Sequence, residues 1–229
     1  MTSTATGIAP RLAAVRARIV AACERAGRDP ASVTLIGVSK THPAQAVVEA
    51  YGEGLNDFGE NRVQEGVPKV EEVRRLLGGR PMPGFHLIGH LQTNKVRAAL
   101  GAFSLIQSVD SPRLLAVIAR NAEGMARVLI EVNVSGEASK FGVAPGDLPA
   151  LLLHARSRTG IEVEGLMTVA PVATDPEEVR PVFRQLRALA HGHGLSTLSM
   201  GMSDDFEVAI EEGATHVRIG RAIFGERQP

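Results

Sequence analysis

Short apolar runs recur along the chain, separated by longer stretches in which apolar residues return every third or fourth position. The runs are VTLIGVS (33–39), LNDFG (55–59), FHLIG (85–89), FSLIQS (103–108), VLIEVNV (128–134), IEVEGLM (161–167), LSTLSM (195–200) and THVRIG (215–220). Several are almost continuous in Val, Ile and Leu, as expected for parallel strands covered on both faces. LNDFG and LSTLSM are weak as strands by themselves; their place in the alternation supports them. Between the runs, helical spacing appears over 44–53 (Ala46, Val47, Ala50, Tyr51) and over 61–77 (Val63, Val67, Val70, Val73, Leu77). Ser111-Pro112 reads as a cap and first-turn proline, and Asp175-Pro176 repeats the device. Pro181 sits awkwardly in the second of these helices and predicts a kink or a restart. Asp147 is expected to cap LPALLLHARS, and Ser203 to cap DDFEVAIEEG.

Eight strands alternating with helices predict an α/β fold, a single (β/α)8 TIM-type barrel over residues 1–229. The first helix, with Ile8, Leu12, Val15, Ile19 and Ala26 on one face, is expected as an additional N-terminal element over one end. Alternation alone leaves an open doubly wound sheet as the alternative. The segment SGEASKFGVAPG (135–146) is glycine-containing and unpatterned, which predicts a mobile rim loop.

Sites of such barrels lie at the C-terminal ends of the strands. The first run ends in Ser39-Lys40-Thr41-His42, the second in Gly59-Glu60-Asn61-Arg62, the third in Gly89-His90. Lys40 follows a mostly apolar run, so little water should reach its amine. Desolvation favours the neutral form, which imine formation with an aldehyde requires. Position alone does not separate this role from a lysine that reaches solvent or pairs with Glu60. The seventh and eighth runs end in Met200-Gly201-Met202-Ser203 and Arg218-Ile219-Gly220-Arg221. A hydroxyl and two glycines at that place suit a phosphate. Ordinary turn chemistry is the plain alternative, and Asp204 and Asp205 would repel an anion unless turned away.

Composition narrows the classes. Lys plus Arg number 25 and so do Asp plus Glu, which gives no general attraction to nucleic acid or an anionic membrane. Aromatics are 3% with no Trp, which argues against base-stacking platforms. Hydrophobic residues, at 44%, suffice for a core but never form a membrane-spanning run. The single Cys23 reads as a buried apolar residue. The first residues resemble a transit peptide in composition, but apolar spacing runs on into the domain, and a cytoplasmic location is expected. His191 and His193 have no ligand spacing, His86 alternates with apolar neighbours, and no metal site is expected.

The segments GVSKTHP (37–43), FGENRVQE (58–65), HLIGHLQTNK (86–95), VNVSGEASKFGV (132–143), GLMTVAP (165–171) and LSMGMSDDFEVAIEEGATHVRIGRAIFG (198–225) resemble the YggS/PROSC family. These are the pyridoxal phosphate homeostasis proteins, and the likeness runs from about residue 8 to 225. The resemblance implies the barrel of alanine racemase without that enzyme's β-domain, and pyridoxal 5′-phosphate as cofactor. It implies Lys40 as the Schiff-base lysine and Asn61 near the ring. It further implies Ser203, Gly220 and residue 221 as the phosphate cradle, with Arg218 facing the ring or phosphate. Position 221 is often Thr or Ser in the family; Arg221 here loses that hydroxyl and offers a charged contact instead. The family is not known for turnover, so the expected role is a vitamin B6 carrier or regulator. Its partners would be the cofactor and apo-enzymes that receive it, and its state a monomer or weak dimer. The alternative is an amino-acid racemase or lyase of the same cofactor. Racemisation needs a second acid or base, and the sole Tyr51 lies on a predicted outer helix. A class I aldolase using Lys40 and the same anion site would be separated by the ligand that borohydride traps there.

Overall fold

Eight parallel strands close into a barrel in the computed structural model, which describes residues 7–225. They are β1 (Thr34–Val38), β2 (Asp57–Glu60), β3 (Gly84–Leu87), β4 (Leu105–Val109), β5 (Ala126–Glu131), β6 (Ile161–Met167), β7 (Thr197–Ser199) and β8 (His216–Ile219). Neighbours in sequence are neighbours in the sheet, and β8 returns to β1 with Ile36 opposite Arg218 and Gly37 opposite Ile219. The open-sheet alternative is thereby excluded. All eight apolar runs became strands, including the two weak ones.

The helices are α1 (Ile8–Arg25), α2 (Ala44–Gly52), α3 (Val63–Leu77), α4 (Val96–Ala102), α5 (Pro112–Asn121), α6 (Leu148–Arg156), α7 (Arg180–Gly192), α8 (Phe206–Glu211) and α9 (Arg221–Phe224). Their apolar faces and the outer faces of the strands build one continuous core, with Phe58, Phe183 and Phe206 among its largest fully buried members. The first helix does not cover a barrel end. It buries Leu12, Val15, Ile19 and Cys23 against α2, α8 and α9, joining the outer ring beside the short helix α9 that follows β8. Residues 1–6 of that N-terminal stretch lie outside the described residues.

Local signals are partly borne out. The Ser111 hydroxyl accepts from Leu114 N–H at 3.3 Å and opens α5. Asp175 accepts from Glu177 N–H and opens a 3-10 turn, Pro176–Val179. The chain restarts as α7 at Arg180, which puts Pro181 in a first turn where no N–H is needed. Two caps are corrected. A 3-10 turn over Pro145–Asp147 runs straight into α6, so the Asp147 side chain makes no cap bond. Asp205, not Ser203, occupies the position before α8, and its carboxylate bonds Met202 N–H instead.

The segment 135–146 is folded rather than loose. Asn133 Nδ2 donates to the Glu137 carbonyl at 2.9 Å, and Asn133 Oδ1 accepts from Gly136 N–H at 3.0 Å. Val143 bridges back to Val132, and Phe141 stacks on His90 with ring centroids 4.1 Å apart. Hydrogen bonds and a ring contact thus hold the segment at the rim.

Candidate functional site

The end of β1 is held by a buried ion pair. Lys69 on α3 donates to Glu60 Oε1 and to the Ser39 carbonyl, each at 2.7 Å, and Ser39 Oγ donates to the same Glu60 oxygen at 2.7 Å. Glu60, the carboxylate weighed as an alternative partner for Lys40, thus gives that oxygen to Lys69 and Ser39. Burial pushes its carboxyl up, against the opposing pull of Lys69. Lys40 follows, half-buried. Thr41 comes next with φ 67°, a left-handed conformation uncommon for a β-branched residue, and its amide bonds Glu65. Strain thus sits beside the lysine, as it often does at functional sites.

A cavity of about 360 Å³ opens at the strands' C-terminal ends. Lys40, Asn61, Ser203, Arg218, Gly220 and Arg221 all line it. Apolar walls come from Val38, Ile88, Val169 and Met202, which the sequence reading did not single out. A signal existed: Val38 stands two residues before Lys40, and alternate residues of a strand share a face. Among the charged lining groups are three cations, Lys40, Arg218 and Arg221, and one carboxylate, Asp204. That balance favours an anion.

Each polar wall has a structural cause. Asn61 lies beyond β2, and its Oδ1 is buried without a hydrogen-bond partner. Buried polar atoms are nearly always satisfied, so an orphan in a cavity is where a ligand group fits. Gly89 makes that placement possible, because a Cβ there would stand 2.2 Å from the Asn61 carbonyl oxygen. Gly201 has φ 93°, and a Cβ would meet Ala209 at 2.6 Å; it serves close packing of α8 rather than approach of an anion. Arg221 pairs with Asp204 at 2.7 Å, both side chains largely exposed. Asp205 is buried and turned onto Met202 N–H, and burial raises its carboxyl. Of the two repelling acids, one is turned away and the other is neutralised by Arg221.

Arg218 is buried on β8. Its guanidinium donates to Ser199 Oγ at 2.7 Å and to the Thr168 carbonyl at 2.8 Å. Burial pulls it down to about 10, while Glu131 and Asp205 oppose the drop, so it stays a cation at neutral pH. Glu131, at the end of β5, was not foreseen. Burial pushes its carboxyl up to about 7, with Arg218 opposing. Tyr51 sits half-buried on α2 and is not part of the cavity wall. Cys23 is fully buried, and burial raises its thiol. Among the described residues no cluster of three or more His, Cys, Asp or Glu is placed to hold a metal. Nor is any helix there long and apolar enough to cross a membrane.

Known proteins fit this picture. The family model described as alanine racemase, N-terminal domain, matches residues 11–228. A pyridoxal phosphate homeostasis protein of Aquifex aeolicus is 47% identical over 95% of this chain and 97% of its own length. One of Pseudomonas aeruginosa is 45% identical over 96% of each. The structure of PipY from Synechococcus elongatus with pyridoxal phosphate bound superposes with a TM-score of 0.81, at 37% identity over 95% of this chain and 100% of that one. Alanine racemase from Corynebacterium glutamicum shares the fold, with a TM-score of 0.69 at 19% identity, over 95% of this chain but 62% of the racemase. A closed eight-stranded barrel and relatives matched along nearly their whole length lead to one assignment: the chain belongs to the family of pyridoxal phosphate homeostasis proteins, built on the barrel of the alanine racemase N-terminal domain.

Proposed function

We propose that this protein binds pyridoxal 5′-phosphate in the 360 Å³ cavity and acts in vitamin B6 homeostasis, as a reversible holder of the cofactor. The observation that carries the reading is that Lys40, Asn61, Ser203, Arg218, Gly220 and Arg221 all line this one cavity. The names of its relatives and the bound ligand of PipY support it. The cofactor supplies an aldehyde that condenses with a neutral amine, and a ring that can withdraw electrons.

This chain's residues then have distinct tasks. Lys40 would hold the cofactor through its amine as an imine, formed with loss of water and undone by hydrolysis. Ser203, Gly220 and Arg221, all lining the cavity, would hold the phosphate. The Asn61 amide, unsatisfied in the protein alone, orients the ring. Arg218 can only donate, so a ring nitrogen facing it stays unprotonated and the electron sink is weak. With Tyr51 away from the cavity wall, no tyrosine there supplies the second acid or base of a racemase. Apo-enzymes that take up the released cofactor are the partners this role requires.

The test is a spectrum. Protein incubated with pyridoxal phosphate and freed of excess should absorb in the visible, and Lys40→Ala should not. A colourless wild-type protein would overturn the reading. Exchange of an amino acid's α-proton with deuterium oxide would convert it into that of an enzyme.

A further inference from the structure

A chain of polar side chains crosses the barrel interior below the cavity. It starts at Arg218 Nη1, which donates to Ser199 Oγ at 2.7 Å. Ser199 Oγ donates to Gln107 Oε1 at 2.6 Å, across the barrel from β7 to β4. Gln107 Nε2 lies 2.8 Å from His86 Nδ1, and His86 Nε2 lies 3.2 Å from Asp57 Oδ1. Arg218, Ser199, Gln107 and His86 are buried; Asp57 is about one-third exposed at the first residue of β2. Barrels of this class fill their interior mainly with branched apolar side chains. Here the polar chain shares the interior with apolar residues such as Ile36, which pairs with Arg218, and the cluster of Leu105, Leu129 and Met167 with Val169.

Elementary chemistry orders the chain. A guanidinium has only donors, so Ser199 Oγ accepts and its single hydrogen goes to Gln107 Oε1. The amide nitrogen of Gln107 then donates, so His86 Nδ1 must be an acceptor without hydrogen. The ring hydrogen therefore sits on Nε2 and faces the Asp57 carboxylate. Each link donates away from the cavity and toward the opposite mouth. Were Nδ1 to carry the hydrogen, two donors would meet at 2.8 Å and the Gln107 amide would have to turn. Ser199 Oγ would then receive donors from both sides, with no acceptor for its own hydrogen. The state of His86 and the anchoring of Arg218 are thus one system.

We propose that Ser199, Gln107 and His86 are positioning residues that lock the Arg218 guanidinium toward the cavity and so set how tightly, and in what electronic state, the cofactor is held. This rests on the pyridoxal phosphate reading above. A satisfied buried network specifies one geometry, while one missing member leaves its neighbours unpaired. The Thr168 carbonyl alone would hold only one edge of the guanidinium.

Two measurements decide it. Nitrogen-15 NMR of the cofactor-free protein reads the His86 tautomer; hydrogen on Nε2 is expected, and hydrogen on Nδ1 overturns the proposal. Pyridoxal phosphate titrations of Ser199→Ala and Gln107→Leu, checked for folding by near-ultraviolet circular dichroism, should show about tenfold weaker binding. They should also show a displaced absorption maximum with a changed pH response, and Ser199→Thr, which keeps the hydroxyl, should restore both. Folded variants with wild-type affinity and band position overturn the proposal. If Gln107→Leu does not fold, Ser199→Ala and the NMR tautomer decide. If the wild-type protein takes up no cofactor, the cofactor reading falls, while the tautomer still judges the chain of bonds.

Discussion

Lys69 and Glu60 form a buried ion pair beside the segment that carries Lys40, with Nζ 2.7 Å from Oε1 and the same Nζ on the Ser39 carbonyl. Helix α3 is in this way bolted to the ends of β1 and β2. Removing one partner of a buried pair leaves an uncompensated charge, at a cost of about 3–5 kcal/mol. Lys69→Met should lower unfolding free energy by about that much in urea melts. It should also weaken cofactor binding, because Ser39 next to Lys40 loses its donor. Adding Glu60→Leu should recover most of the stability but not the binding.

The pH dependence of stability should carry a signature of two groups, the buried Glu131 and the half-buried His216. Glu131 holds its proton up to about 7 in the folded chain, against 4.5 ordinarily, because it is desolvated. The folded state therefore binds more proton than the unfolded state between those values, and stability falls as pH rises through them. His216 is pushed by burial down to about 4 from 6.5. Its contribution is present above 6.5 and is lost as pH falls toward 4. The two slopes oppose each other. Glu131→Gln should leave the rising slope exposed, steepening the gain from pH 5 to 7 by about 3 kcal/mol at most. Urea midpoints at pH 5, 6, 7 and 8 measure this, and parallel curves for the two proteins would contradict it.

Gly89→Ala should damage the site through the backbone. The new methyl would fall 2.2 Å from the Asn61 carbonyl oxygen and 2.9 Å from its Cα. Backbone cannot yield as a side-chain tip can, so Asn61 must move. Cofactor affinity should drop by about tenfold or more, the scale of a lost hydrogen bond to a charged or strongly polar group. Gly78→Ala, with open space around it and φ 57°, is the control: mild destabilisation and unchanged binding.

Asp204 and Arg221 should move phosphate affinity in opposite directions. They pair at 2.7 Å on the cavity wall with side chains 77% and 63% exposed, so either substitution should change stability by less than about 0.5 kcal/mol. Asp204→Asn removes a repulsion and should tighten binding of pyridoxal phosphate about twofold to fivefold at low salt. Arg221→Ala should weaken it, and both effects should shrink as salt rises. Titration at two ionic strengths reads the sign directly.

Strand identity was legible because β1 and β5 are buried along most of their length and read as near-continuous apolar runs. Even the three-residue β7 was found, though LSTLSM has little strand character, since the alternation demanded a strand there. Helix α4 escaped notice because VRAALGA has just two turns and small residues. The caps at Asp147 and Ser203 failed because turns preceding α6 and α8 took up the role. In the site, Lys40 and Arg218 could be located from strand ends alone. Glu131 and Gln107 could not be assigned, because their importance lies in partners on other strands. The trace they left was a polar residue inside an apolar run, IQS for Gln107 and LIEV for Glu131, where burial would otherwise be free of cost.

The pairing of β1 with β8 has a temporal side. Lys40 precedes Ser203, Arg218, Gly220 and Arg221 by about 160 to 180 residues, which are made at about 5–20 residues per second. Until β8 docks on β1, a nascent chain holds Lys40 on an open sheet, with Arg218 and Gly220 not yet opposite it. The two halves of the site meet only on closure. A chain stalled before residue 216 lacks the strand that brings these residues to one cavity, so the cavity exists only once β8 has been made and docked.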